Sequence, residues 1–195
     1  MTEMLDRHLS VLFAGCGALG SQIAVAIVRS YWSVHLLDND IVEEGNVTSG
    51  TTVYSYHQIG RPKVSALAEI LYRRYGFDYG PAKCFTYKKR AESIDLFKGY
   101  DLVIDTFDNA ASRVLTMSAP CVVHAAVAPN MTGIVVWDKS YSPPQTTAVN
   151  EVCTRDLGRI VIRFTAAVAA CVIESWADTG VKQMRVVTKD LRLIE

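Results

Sequence analysis

Residues 13–24 read FAGCGALGSQIA, and within them Gly15, Gly17 and Gly20 spell G-x-G-x-x-G. The run before them, His8 to Ala14, turns apolar and reads as a strand. The run after them, Ala18 to Tyr31, carries Leu19, Ile23, Ile27 and Val28 at helical spacing. A glycine loop between a strand and a helix admits few folds, and the leading one is the first turn of a doubly wound α/β sheet. There Gly15 permits the tight bend, Gly17 lets backbone approach a phosphate, and Gly20 lets helix pack on strand. The first helical N–H groups, at Ala18, Leu19 and Gly20, then face an anion together with the positive end of the helix dipole. The glycines place a nucleotide phosphate and leave open whether the nucleotide is NAD or ATP.

The alternation continues along the chain. Ser33 to Leu37 reads as a second strand ending at Asp38, and Asp40 to Ile59 as a long polar loop with at most a short turn. Arg61 to Tyr75 is helical, with Pro62 in the first turn, where a missing N–H costs nothing. Strands are predicted over Ala82 to Tyr87, Leu102 to Ile104, Cys121 to Ala125 and Thr132 to Trp137, with a helix from Asn109 to Ser118. Tyr141 to Asn150, with paired prolines, reads as a surface crossing. Arg159 to Trp176 is apolar nearly all round and is predicted to be buried. Val181 to Ile194 reads as two closing strands. The pattern predicts a Rossmann-like, mostly parallel sheet with helices on both faces and antiparallel strands at the C-terminal end. A single nucleotide-binding domain over residues 1–195 is expected.

Composition removes some function classes. Twenty basic residues balance twenty acidic ones, so no global field favours nucleic acid or an anionic membrane. Five cysteines without a C-x-x-C pair argue against a zinc site, and Cys84, Cys121 and Cys171 read as small buried hydrophobes. The start, MTEMLDRHLS, has no apolar core of a secretory signal. The apolar stretch from Phe164 to Ala177 is interrupted by Glu174 and is too short to span a bilayer. The expectation is a cytoplasmic protein.

Four residues bear on the choice of nucleotide. Asp38, eighteen residues after Gly20, stands where a carboxylate accepts ribose hydroxyls, which NAD and ATP share. Asp40, two residues on, reads as a second ligand-side carboxylate or as a turn initiator. Lys63, in the first turn of a helix, is locally unfavourable unless an anion such as a triphosphate sits beside it, or unless it points to water. Asp108, like Asp105 before it, follows a buried strand in the DLVIDTFDNAASR run, where ligand-facing loops belong and a carboxylate could hold magnesium against phosphates, and with Asn109 it also forms an N-cap signal.

With these residues in place, the chain resembles the ThiF/MoeB/HesA family, bacterial relatives of ubiquitin-activating enzymes. GCGALGS, LLDNDIVEEGN, IGRPK, DLVIDTFDNAASR and CTRDLG occur in the family's order at about its spacing, from about Val11 to Leu193. The resemblance implies ATP-dependent adenylation of the C-terminal carboxylate of a β-grasp carrier protein ending in Gly-Gly, by a homodimer. It implies ATP and Mg²⁺ as cofactors. Asp38 would hold the ribose, Lys63 the phosphates, and Asp108 the magnesium. Asp40, Asn46, Asn109 and Arg113 would complete the nucleotide site, Arg113 by holding the loop around Asp108.

The chain departs from the family pattern at NVTSG, where Asn46 should open N-x-x-R-Q. Ser49 and Gly50 stand in place of arginine and glutamine. Arg61, or Arg7 reaching across a dimer, would have to compensate. Cys153 lies in the segment that carries an acyl-accepting cysteine in some relatives, with Arg155 and Arg159 nearby to lower its pKa, or it anchors the last helix. His57 and His124 pair with no nucleophile. A catalytically weakened scaffold of the same fold, a threonylcarbamoyl-adenosine dehydratase-like enzyme and a small NAD(P)-dependent oxidoreductase are the competing readings.

Overall fold

A computed structural model describes residues 8–28, 32–75, 84–142 and 156–194. Its centre is β1 (Ser10–Ala14), in which Val11, Leu12, Phe13 and Ala14 are all buried. A strand buried on both faces belongs inside a parallel sheet. β1 pairs in parallel with β2 (Ser33–Leu37) on one side and with β4 (Leu102–Asp105) on the other, at registers Phe13↔Leu36 and Phe13↔Ile104. β3 (Cys84–Tyr87) adds outside β2, and β5 (Val122–Val127) outside β4, both parallel. β6 (Gly133–Trp137), β7 (Arg185–Val187) and β8 (Leu193–Ile194) follow antiparallel, giving the order β3-β2-β1-β4-β5-β6-β7-β8. The predicted sheet with its antiparallel C-terminal closure is therefore present.

Strand alternation sends Val11, Phe13, Leu36, Ile104, Val123 and Val135 to one face. That face receives α1 (Ala18–Ile27), α3 (Lys63–Tyr75) and α5 (Asp156–Thr179). Leu12, Ala14, Leu37, Val103 and Val122 face the other way and meet Phe97. Among the described residues that face carries only the short α4 (Ala110–Thr116) and a 3-10 turn at Ile94–Phe97. Each fully buried Leu, Ile or Phe contributes about 1.5–3 kcal/mol, so the three-helix face supplies most of the core.

Two elements differ from the sequence expectation. The polar run after Asp40 is not a simple loop: it holds α2 (Glu44–Thr48) and a 3-10 turn at Tyr56–Gln58, each opened by a capping box. A polar five-residue helix has too few positions to show a period. The last helix is also not buried all round. Leu157 and Ile160 are about half exposed, and Arg163, Ala167 and Cys171 line up behind them on the solvent side. Cys171 is therefore exposed rather than a core residue, while Cys84 and Cys121 are half-buried against the core as expected. Small residues gave this helix an apolar mean without an inward requirement. Leu157–Thr179 is long and apolar enough by composition to cross a membrane, and half of its most apolar stretch is buried within the protein. The helix thus outruns the Phe164–Ala177 stretch that the sequence suggested.

Candidate nucleotide site

Strand order reverses between β1 and β4, and the loops leaving their carboxyl ends meet there. In an open α/β sheet this crevice is where ligands bind. Gly15 sits at φ +98°, a conformation that glycine adopts without the steric cost of a Cβ, and its N–H donates to Leu37 O at 2.9 Å. From the other side Thr106 donates its N–H to Ala14 O (2.8 Å) and its Oγ1 hydroxyl to Gly15 O (2.9 Å). Gly20 faces this junction so closely that a Cβ would stand 2.0 Å from Gly15 O. Gly17 differs. A Cβ there would meet nothing within 4 Å, and no side chain caps the helix it opens. The first turn of α1 thus points its donors across open space that a side chain at Gly17 would enter, which suits a phosphate.

Asp38 does more than the sequence suggests. It is 8% exposed, and its two oxygens accept N–H groups from Cys16 (2.7 Å) and Asp40 (2.8 Å). The carboxylate fastens the glycine loop to the end of β2, with lone pairs left for ribose hydroxyls. Burial raises its pKa, against the pull of those two N–H groups and of Lys63. The same burial, aided by the Asp38 charge, pushes the Cys16 thiol well up, so it stays protonated and inert. Tyr54 closes the loop from above: its hydroxyl donates to Cys16 O at 2.6 Å and lies 3.3 Å from Lys63 O. Nothing in the polar stretch around Tyr54 marks it out, because its partners are backbone atoms 38 and 9 residues away.

Lys63 does not point to water. Its side chain is 11% exposed, and Nζ donates to Asp40 Oδ2 at 2.9 Å, while its N–H reaches Asp40 O at 2.9 Å. Burial alone would lower its pKa. The Asp40 hydrogen bond and the charges of Asp38, Asp40 and Asp108 outweigh that and raise it, so the ammonium stays charged. Asp108 itself is exposed at the start of α4. Asp38, Asp40 and Lys63 are thus joined by hydrogen bonds beside the glycine loop, and the Asp108 charge acts on Lys63 from the start of α4. Among the described residues no three His, Cys, Asp or Glu side chains are placed to share a metal.

The remaining expected residues take varied places. Asn109 caps α4, its Oδ1 accepting Ser112 N–H at 2.8 Å. Asn46 caps α2 by accepting Glu43 N–H at 2.9 Å. Arg113 is buried beneath the loop rather than in the crevice. One guanidinium nitrogen donates to Ala125 O (3.2 Å), and another lies 3.7 Å from Asp105 Oδ2. Arg61 turns away to an ion pair with Glu69, which also receives Arg73. Arg7 and Cys153, like Arg155, lie outside the described residues.

One cluster escaped the sequence reading. Asp105, fully buried, accepts from His124 Nδ1 at 2.7 Å, Thr116 Oγ1 at 3.1 Å and Phe107 N–H at 3.1 Å. His124 stacks on Tyr141 with ring centroids 4.4 Å apart. Through Phe107, this network holds the loop that presents Asp108. The Asp105↔His124 strand register is the signal that would have found it.

A model described as the ThiF family matches residues 4–177. The mouse adenylyltransferase and sulfurtransferase MOCS3 is 32% identical over 118 residues, 58% of this chain and 24% of that protein. The probable adenylyltransferase/sulfurtransferase MoeZ of Mycobacterium tuberculosis is 25% identical over 122 residues, 58% of this chain and 29% of that one. The chain spans about a quarter of the length of these curated relatives. Among solved structures, E. coli MccB with ATP superimposes with a TM-score of 0.70 at 16% identity, covering 98% of this chain and 64% of that one. The chain named PaaA gives 0.71 at 16% identity over similar shares. Identities this low speak to the fold alone.

Proposed function

The chain belongs to the ThiF family, and from that premise we propose that it uses ATP to adenylate the C-terminal carboxylate of a small β-grasp carrier protein. One observation carries the reading: a charged lysine, bonded to Asp40 and within the field of Asp38 and Asp108, stands beside the glycine loop, which opens a helix that no side chain caps. Hydride transfer needs no such lysine, whereas a triphosphate does. The names of the curated relatives, adenylyltransferases, support the same chemistry.

In this reading the carrier carboxylate attacks the α-phosphate and pyrophosphate leaves. Asp38 orients the ribose while keeping the loop closed. The α1 N-terminus and Lys63 meet the phosphoryl oxygens as charge builds on them, the largest contribution that fixed groups make to such a step. Lys63 would then exchange part of its bond to Asp40 for phosphate. A magnesium ion at Asp108 would neutralise phosphate charge when bound. Transfer to Cys153, a homodimer, a carrier ending in Gly-Gly and a cytoplasmic setting all belong to this proposal.

A second reading is a nucleotide- or carrier-binding scaffold with weakened chemistry. Two features favour it: Arg61 is committed to Glu69, and the Ser49 hydroxyl turns inward to Thr51 Oγ1 at 2.9 Å. ATP–pyrophosphate exchange with candidate carriers separates the two. Carrier-dependent exchange that disappears in Asp108→Ala supports adenylation. Tight ATP or carrier binding without exchange supports the scaffold, and nicotinamide reduction overturns both.

A further inference from the structure

Lys63 bonds Asp40 and feels the charges of Asp38 and Asp108, so among the described residues this group carries net negative charge. A triphosphate brings about four more negative charges at neutral pH. Magnesium offsets part of this, and the first helical turn contributes about half a positive charge. Further cations are required, and most nearby ones are engaged. Arg61 and Arg73 share Glu69, and Arg113 is buried against Asp105 and Ala125.

Two arginines are not. Arg159 and Arg163, one turn apart on α5, are exposed, and among the described residues neither has a carboxylate within ion-pair distance. Both are drawn to the same spot. Arg163 donates a guanidinium N–H to Gly50 O at 2.9 Å, and Arg159 lies across Gly50. A Cβ at Gly50 would come within 3.3 Å of Arg159 Cδ and 3.6 Å of its Nη1. Gly50 also has φ +62°, the left-handed conformation that favours glycine. The strand of backbone they cover is tied to α1: Gln22 Nε2 donates to Thr51 O at 3.2 Å. Gln22 lies about one helical turn, roughly 6 Å, beyond the first residues of α1.

We propose that Arg159 and Arg163 are phosphate-contact residues, bringing guanidinium charge from α5 over Gly50 to the outer phosphates of the nucleotide. The inference rests on the adenylation reading in that it takes ATP as the ligand. A planar guanidinium fork matches phosphate oxygens in pairs, which a point-charge lysine does not. Outer-phosphate contacts discriminate by phosphate number: they act on ATP and not on AMP.

The test is calorimetric titration of the whole chain with ATP and with AMP, for wild type, Arg159→Ala, Arg163→Ala, the double variant and Arg159→Lys. Each alanine variant is expected to weaken ATP about tenfold or more while leaving AMP within about twofold. Arg159→Lys recovers part of the loss. Exposed positions leave the melting temperature in place, so unfolding does not mimic the result. Variants that bind ATP as wild type does, or that lose ATP and AMP equally, overturn the assignment. A wild-type protein that binds AMP and ATP alike overturns it too. If wild type binds neither nucleotide, the adenylation reading itself fails, which is a distinct outcome.

Discussion

Gly17 and Gly20 share a motif and answer to different forces. Gly20→Ala drives a methyl into Gly15 O, a backbone atom that cannot swing aside, and is expected to cost about 1–3 kcal/mol or more in urea unfolding. Gly17→Ala meets open space. It should leave stability within about 0.5 kcal/mol while weakening ATP about tenfold, because the new methyl stands where phosphate would. A matching loss of stability in both variants would sink this division of labour. Lys63 gives a pH signature. Its folded pKa lies above the ordinary 10.5, so its contribution to stability is complete below that value and is lost as pH rises through the folded pKa. Measured against Lys63→Met, wild type should hold a constant stability difference from pH 6 to 9 and fall relative to the variant only in the alkaline range above about 10.5. The role of Lys63 was half legible: its helix-start position was plain, and its anionic partner, Asp40, was not, because a bend brings residues 23 apart together.

Among the elements, β4 and α4 depend on one buried carboxylate. Asp105→Ala strips His124, Thr116 and the Arg113 ion pair of their common acceptor and is expected to cost about 3–5 kcal/mol by denaturant titration. Unfolding with an unchanged midpoint would show that the network is incidental. Strands β1, β2 and β4 were readable because apolar runs buried on both faces leave a clear trace. The sequence reading put Asp105 in the ligand-facing loop, but it is the buried end of β4, and its pairing with the strand residue His124 stayed hidden because register is not written in either segment alone. α5 was misread for a related reason: its exposed line carries Leu157, Ile160, Ala167 and Cys171, as apolar as the residues it buries, so composition concealed the stripe.

At the scale of the whole molecule, the site is assembled from the ends of three strands and the start of α3, so occupancy stabilises all of them together. ATP at about a hundred times its dissociation constant contributes about 2.7 kcal/mol, or roughly 5–10 °C in melting temperature for a chain of this size. NADH is expected to leave the transition where it is. The overall plan was legible from one glycine loop and the alternation around it. The contacts that complete the crevice, Tyr54 over Cys16 and Arg159 over Gly50, were not, because each joins segments that no local pattern relates.

The placement of β1 between β2 and β4 also sets a timetable. β2 leaves the ribosome soon after β1, but β4 begins 92 positions after Ser10, at Leu102. At roughly 5–20 residues per second, β1 waits about 5–20 s with one edge unpaired. During that interval the growing chain presents an apolar strand edge and half a phosphate cradle. A nascent chain arrested before Leu102 should therefore recruit chaperones and fail to retain ATP, while release past β5 should reverse both.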